Sequence, residues 1–496
     1  MKVAPLLYPG FADRTSSSPV TVGEATCLPL RERNAVNSTA TLSAPAHAQG
    51  GGEAPSERRG HLAWIVAGSL ATGLVAALVL AAAPFIPVEE SALTGAVLCG
   101  LALGWAMLAV LSIRFTDQPQ RWAAAPALFM GLGGLLLVLF GSSVHEVLSW
   151  VWPPALLALA VMMVIGIHRQ LHSRAGRWLL YPVLAVLAIS AVGGGYETVR
   201  EAVDAKAYPM PGRLVDVGGH RLHLSCTGSG SPTVVLEPGA GAMSSNLGWI
   251  TPAVARDTRV CVYDRAGRGW SDPADTPQDG AQIATDLHTL LHTAGVPGPY
   301  VIAGHSFGGL YTLTFAARYP DEVAGLVLVD STAPAPRPGP ATASPEDASS
   351  YDVMGRAAAL ASITARLGLA RLYGLLAGDS LPPQSHDEVS AHGATARNLR
   401  STIDEYVHAG TSAEHAAALR DFGAKPLVVL TAGSGSAAGW AEKQDDLATL
   451  STNSVHRTID GATHMDLVED QEKAAATSQA IHDVVFSIRS AAPLQR

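Results

Sequence analysis

Gly304-His305-Ser306-Phe307-Gly308 sets a hydroxyl between two glycines, after an apolar run (YVIA) and before a helix-like stretch (FGGLYTLTFAARYP). This is the G-x-S-x-G pattern, and strand before and helix after are the context it needs. The turn has to be so tight that side chains at its flanks would clash, hence glycine on both sides. The helix N-terminus behind the serine favours negative charge developing in front of it. Ser306 is therefore a candidate nucleophile, and a nucleophilic serine needs a base and a group to orient that base. His464, in IDGATHMDLVED, sits on a loop before the last helix, whereas His456 falls within a strand-like stretch and His482 within the final helix. His305, inside the turn, is expected to point away from the serine's side and to pack. Among the carboxylates, Asp330 ends an apolar run (GLVLVD), where it could also simply cap a turn. Glu442, Asp445 and Asp446 lie on a later helix, after a loop (TAGSGSAAGW, 431–440) with no carboxylate at all.

The elements that must position these groups read as an α/β domain over 198–496. Short strands are predicted near 213–217, 220–226 and 232–237, joined by glycine turns. TRVCVYDRAG, PYVIAGH, AGLVLVD and KPLVVLTAG add four more, and SVHRTID a further short one. Helices such as AQIATDLHTLLHTAG alternate with them, which argues a mostly parallel sheet covered on both faces. Some 90 residues between the sixth and seventh strands, 333–424, look helical and exceed an ordinary connection. They read as an inserted cap over the sheet's C-terminal edge.

At this point the region from about 212 to 488 resembles the α/β-hydrolase superfamily, most closely its serine esterase, lipase and aminopeptidase-like members with a helical cap. Besides the serine turn, YDRAGRGWSDP (263–273) is similar to the loop those enzymes carry after the fourth strand. The resemblance implies an eight-stranded, mostly parallel sheet and a triad in the order Ser, acid, His. It assigns Ser306 as nucleophile and His464 as general base. For the acid it points to Asp330, since some relatives carry it at the end of strand six; Asp445 stands next. It implies an oxyanion hole from the N–H of Phe307 and from the loop EPGAGAMSS, where the second donor matches Ala240. The His of the relatives' His-Gly-x-Gly is replaced there by Pro238. Glu237 is expected to form a strand-end salt bridge. Cys226 and Cys261 fall on neighbouring strands; an extracytoplasmic location permits a disulfide, but the strain of cross-strand pairs favours two buried free thiols. Serine rather than aspartate at 306 argues against a dehalogenase.

The first 200 residues differ in kind. The chain of 496 residues is 48% hydrophobic but only 15% charged, against about 25% charged in soluble domains, so part of it belongs in lipid. Residues 1–60 lack apolar periodicity and read as a flexible cytoplasmic tail. Uncharged apolar runs at about 62–83, 92–113, 122–141, 148–167 and 178–195 are each near the ~20 residues that span a bilayer as helix. Arg58, Arg59, Arg114, Arg121, Arg169, Arg174 and Arg177 gather at alternate ends, while Glu89, Glu90, His145 and Glu146 occupy the others. That alternation puts the N-terminus in the cytoplasm and residues after 197 outside a plasma membrane. The Pro-containing fourth run would reverse this if it were re-entrant. No run contains Asp, Glu, His or Arg, which favours an anchor over a transporter or channel.

A net charge of −9 gives no electrostatic reason to expect nucleic acid, and four cysteines without CxxC spacing show no metal signature. The expectation is a membrane-anchored serine hydrolase acting on a small-molecule or lipid-like ester or amide, with no cofactor or metal. The alternative is a non-catalytic membrane receptor using the same fold.

Overall fold

Near-continuous apolar runs without charge make helices that are greasy on all sides, and the computed structural model folds five of them. It describes residues 55–334, 345–374 and 378–495; the expected tail over 1–60 lies almost wholly outside the described residues, as does part of the expected cap. The five helices are α1 (Pro55–Ala82), α2 (Glu90–Phe115), α3 (Ala124–Phe140), α4 (Ser142–Gln170) and α5 (Arg174–Ala207). All are long and apolar enough to cross a membrane. α4 runs through Pro153 and Pro154 as one helix. Small residues let the backbones close in: a Cβ on Gly100 would stand 2.3 Å from the Ala77 backbone, and one on Gly104 2.6 Å from Ser69 O. At the arginine-rich end, Gln120 and Gln118 tie the α2–α3 and α4–α5 loops through Gln170 O and His172 N.

From Arg213 onward the period changes. The strands are β1 (Arg213–Asp216), β2 (Arg221–Thr227), β3 (Thr233–Glu237), β4 (Val260–Tyr263), β5 (Tyr300–His305), β6 (Val323–Val329), β7 (Leu427–Ala432) and β8 (Ser454–Ile459). They form one sheet in the order β1-β2-β4-β3-β5-β6-β7-β8, parallel from β4 to β8 and antiparallel at β1–β2 and β2–β4. The central strands are buried throughout, because helices cover both faces. The short α6 (Ile250–Val254) follows β3, and α7 (Gly280–Ala294) and α8 (Phe307–Arg318) flank β5. Between β6 and β7 the chain makes α9 (Pro345–Arg366), α10 (Leu369–Gly374), α11 (Pro383–Gly393), α12 (Ala396–Val407) and α13 (Ala409–Ala416). α14 (Trp440–Ala448), α15 (Asp466–Glu469) and α16 (Gln471–Ser490) complete the domain. Two apolar cores result, one on each face of the sheet.

One expectation is corrected. The β2–β4 register sets Cys226 directly opposite Cys261 with Cα atoms 4.0 Å apart, and the two are joined in a disulfide rather than left as free thiols. The antiparallel register itself brings the two cysteines face to face, which the sequence alone could not reveal.

The inserted helices also meet the apolar bundle. Arg356 donates to Ala81 O (2.9 Å) and Ile86 O (2.8 Å), and Arg366 pairs with Glu90. Arg371 forks onto Glu197 (2.9 and 3.0 Å) and reaches Asp204 (2.9 Å) on α5.

Candidate active site

β5 ends at His305 and α8 begins at Phe307, so Ser306 alone makes the turn, with φ 55° and ψ −123°. This left-handed φ is strained for a residue with a Cβ. The flanking glycines explain how the turn closes. A Cβ on Gly304 would lie 2.5 Å from Gly308 O, and one on Gly308 2.4 Å from Glu237 O. The backbone is pinned from the neighbouring strand: Ser306 N donates to Val329 O (3.1 Å), and Thr332 N to Ser306 O (3.0 Å).

Asp330 follows β6 one strand away, is buried, and also has a positive φ of 43°. Its Oδ2 lies 2.6 Å from His464 Nδ1. Its Oδ1 accepts from Ala432 N (3.1 Å) and Trp440 Nε1 (2.8 Å). Burial works against the charge, but the hydrogen bonds from His464, Trp440 and Ala432 outweigh it and hold the carboxyl below its ordinary value. Asp445, the other candidate acid, lies on α14 and contacts His456 Nδ1 at 2.7 Å instead. His482 faces Asp257.

His464 sits on the loop after β8, about a third exposed. Under it lies His305, buried, with ring centroids 4.5 Å apart. Burial and the neighbouring His464 push His305 down to about 3, so its Nε2–H donates to His464 O (3.0 Å) as a neutral ring. His305 does pack, as expected, but what it packs against is the candidate base.

The oxyanion-loop candidate is equally close. A Cβ on Gly239 would stand 3.2 Å from Ser306 Cβ, so the segment carrying Ala240 runs past the serine next to Phe307. Its carbonyls are gripped by Arg265, which donates to Pro238 O (2.8 Å) and Gly239 O (2.7 Å). The same guanidinium pairs with Glu237 (2.6 Å) and with Glu405 of α12 (2.7 Å). Glu405 in turn accepts from Gly241 N (3.0 Å) and pairs with Arg268 (2.9 Å). All four charged groups are buried. Burial pushes the Glu237 carboxyl up to about 7, against the pull of Arg265 and the Tyr263 hydroxyl that donates to it. Glu405, flanked by two arginines, stays below its ordinary value despite its burial. Glu237 thus makes the expected salt bridge. Two positioning residues escaped the sequence reading: Trp440, whose only hint was an aromatic in a loop without carboxylates, and Glu405, one acid among several on an inserted helix.

Residues 232–471 match the profile of a family described as alpha/beta hydrolase fold. An uncharacterized protein of Schizosaccharomyces pombe is 35% identical over 155 residues, 25% of this chain and 29% of that protein. The carbamate-hydrolase candidate RutD of Cronobacter sakazakii is 38% identical over 106 residues, 20% and 38% of the two chains. An uncharacterized vacuolar membrane protein of Saccharomyces cerevisiae is 29% identical over 171 residues, 30% and 24% of the two chains. The chain therefore spans well under half the length of these relatives. Among solved structures, a thermophilic esterase from Thermogutta terrifontis is similar at 21% identity and a TM-score of 0.41, over 56% of this chain and 99% of that one.

Proposed function

We propose, for a chain whose C-terminal domain has the α/β-hydrolase fold, that it is a membrane-anchored serine hydrolase cleaving an ester or amide through an acyl-enzyme. His464 Nε2 takes the Ser306 proton as Oγ attacks the carbonyl carbon. The charge that develops on the carbonyl oxygen is met by the N–H groups of Phe307 and Ala240. Asp330, fixed by Trp440 and Ala432, keeps the His464 proton on Nδ1 and stabilises the imidazolium. The imidazolium then protonates the departing alcohol or amine, and a water activated by the same histidine releases the acid.

The observation that carries the reading is the 2.6 Å His464–Asp330 pair at the strand edge where Ser306 is held in a strained turn. A serine that only capped a helix would need neither the strain nor the pair. The arginines crowd the bundle end away from the inserted helices, which supports a cytoplasmic N-terminus and an extracytoplasmic catalytic domain. The inserted helices act as a cap, since Tyr406 of α12 lies 5.2 Å from the Phe307 ring beside the serine.

The test is turnover of a panel of esters and amides by the detergent-purified full chain, beside Ser306→Ala. Hydrolysis lost in the variant supports the proposal. A folded wild type that binds panel members but cleaves none favours the receptor alternative.

A further inference from the structure

α5 is too long for a bilayer span alone. Its 34 residues reach about 51 Å at 1.5 Å per residue, against a hydrocarbon core of about 30 Å. Its outer end has two faces. One carries Glu197 and Asp204, both buried against Arg371 of α10. The other carries Tyr196, Val199 and Val203, at helical spacing and 46–52% exposed. α10 adds Leu369, Leu372 and Tyr373 at 47–58% exposure, and a Cβ on Gly368 just before it would lie 3.7 Å from the Tyr196 ring. The ion pairs lock α10 to α5, so these six side chains extend the lipid-facing stripe of a spanning helix onto the cap.

The same cap also reaches the serine turn. Arg400 of α12 donates to Val88 O, in the loop between α1 and α2 (3.1 Å). Tyr406, six residues further along that helix, meets Phe307, a rise of about 9 Å. One cap helix thus reaches the loop that joins two spanning helices and the residue after the nucleophile from positions less than two turns apart.

We infer that the cap is seated in the interfacial layer of the bilayer, and that the substrate is a lipophilic ester which enters from that leaflet rather than from water. This deepens the hydrolase reading and rests on it. Continuity with the spanning helix identifies the occupant of the apolar face as lipid: tyrosines and aliphatic side chains flank it, and the acids are turned inward onto Arg371.

The experiment uses the full chain in phosphatidylcholine nanodiscs. In a background with Cys27→Ser and Cys99→Ser, Leu372→Cys and, on α16, Glu472→Cys each receive an environment-sensitive fluorophore. The label at 372 is expected to emit blue-shifted light and to be quenched by lipids spin-labelled near the headgroup, and the label at 472 to do neither. Water-like emission at both positions overturns the proposal. The second arm compares p-nitrophenyl acetate in solution with p-nitrophenyl palmitate dissolved in the disc. Val199→Asp with Leu372→Asp should lower palmitate turnover about tenfold or more, by displacing the cap from the interface, while acetate turnover stays within about twofold. Equal loss on both esters, or palmitate left unaffected, overturns it. Wild type that cleaves acetate but ignores palmitate refutes the substrate class alone. Wild type that cleaves neither refutes the hydrolase reading, and the substrate class with it.

Discussion

Asp330→Asn exchanges one heavy atom and should abolish the proposed hydrolysis. Asp330 Oδ1 accepts from Trp440 and Ala432, and Oδ2 meets His464 Nδ1. Two N–H donors at Oδ1 compel an asparagine to keep its carbonyl there, so its NH2 must face His464. The ring can then only accept at Nδ1, its proton moves to Nε2, and the nitrogen that should take the Ser306 proton is already occupied. In a related triad that tautomer error costs about 10⁴-fold in kcat, equivalent to about 5.4 kcal/mol of transition-state stabilisation. The loss should fall on kcat, because no substrate-binding contact changes. Stability should change far less: one charge-assisted hydrogen bond is worth about 1.5–3 kcal/mol. It should also vary with pH. A carboxyl held below its ordinary value contributes stability that is fully present above the unfolded value of about 4 and is lost as pH falls through the folded value. The melting-temperature gap between wild type and Asp330→Asn should therefore be full at neutral pH and close under acid. The assay is steady-state ester hydrolysis from about pH 5 to 9, with thermal melts carried from neutral pH down through the carboxylate range, below about pH 4, and Asp445→Asn alongside. Turnover by Asp330→Asn within tenfold of wild type refutes the tautomer argument. Loss in Asp445→Asn instead would move the acid to α14.

Glu405→Gln should cut kcat about 10- to 100-fold with KM little changed, since the oxyanion loop loses its anchor. Leaving Arg268 without its carboxylate, and Arg265 with Glu237 alone, should cost about 3–5 kcal/mol in the melt; kinetics within twofold of wild type would contradict the anchoring role. Trp440→Phe removes one donor to Asp330 without opening a large void, and should lower the melting temperature and reduce turnover about tenfold. Cys226→Ser with Cys261→Ser should destabilise the domain by about 4 kcal/mol, the loop-closure value for a 35-residue separation. Reductant should then shift the wild-type melt but not that of the variant.

What could be read from the sequence was what depends on local spacing. Gly304 and Gly308 announce the serine turn because their missing Cβ atoms are a backbone requirement, visible at a spacing of four. Apolar runs announced the five long helices and the parallel sheet because burial on all sides leaves no polar period to misread. What stayed hidden depends on register and on partners far along the chain. Cys226 and Cys261 needed the β2–β4 register before their facing could be known. Glu405 is indistinguishable in sequence from Asp404 beside it, until Arg265 and Arg268 arrive from 140 and 137 positions away. Glu197 and Asp204 lie just past the fifth apolar run, and only the inserted helix shows that they are buried.

The central claim is that Ser306 is a nucleophile activated by His464, and covalent trapping tests it most directly. The full chain in detergent is treated with a fluorophosphonate, digested, and the adduct located by mass spectrometry. One phosphonylated site is expected, at Ser306, with labelling slowed by about 10³-fold or more in His464→Ala and absent in Ser306→Ala. An unmodified Ser306 in folded wild type, or labelling indifferent to His464, would contradict it.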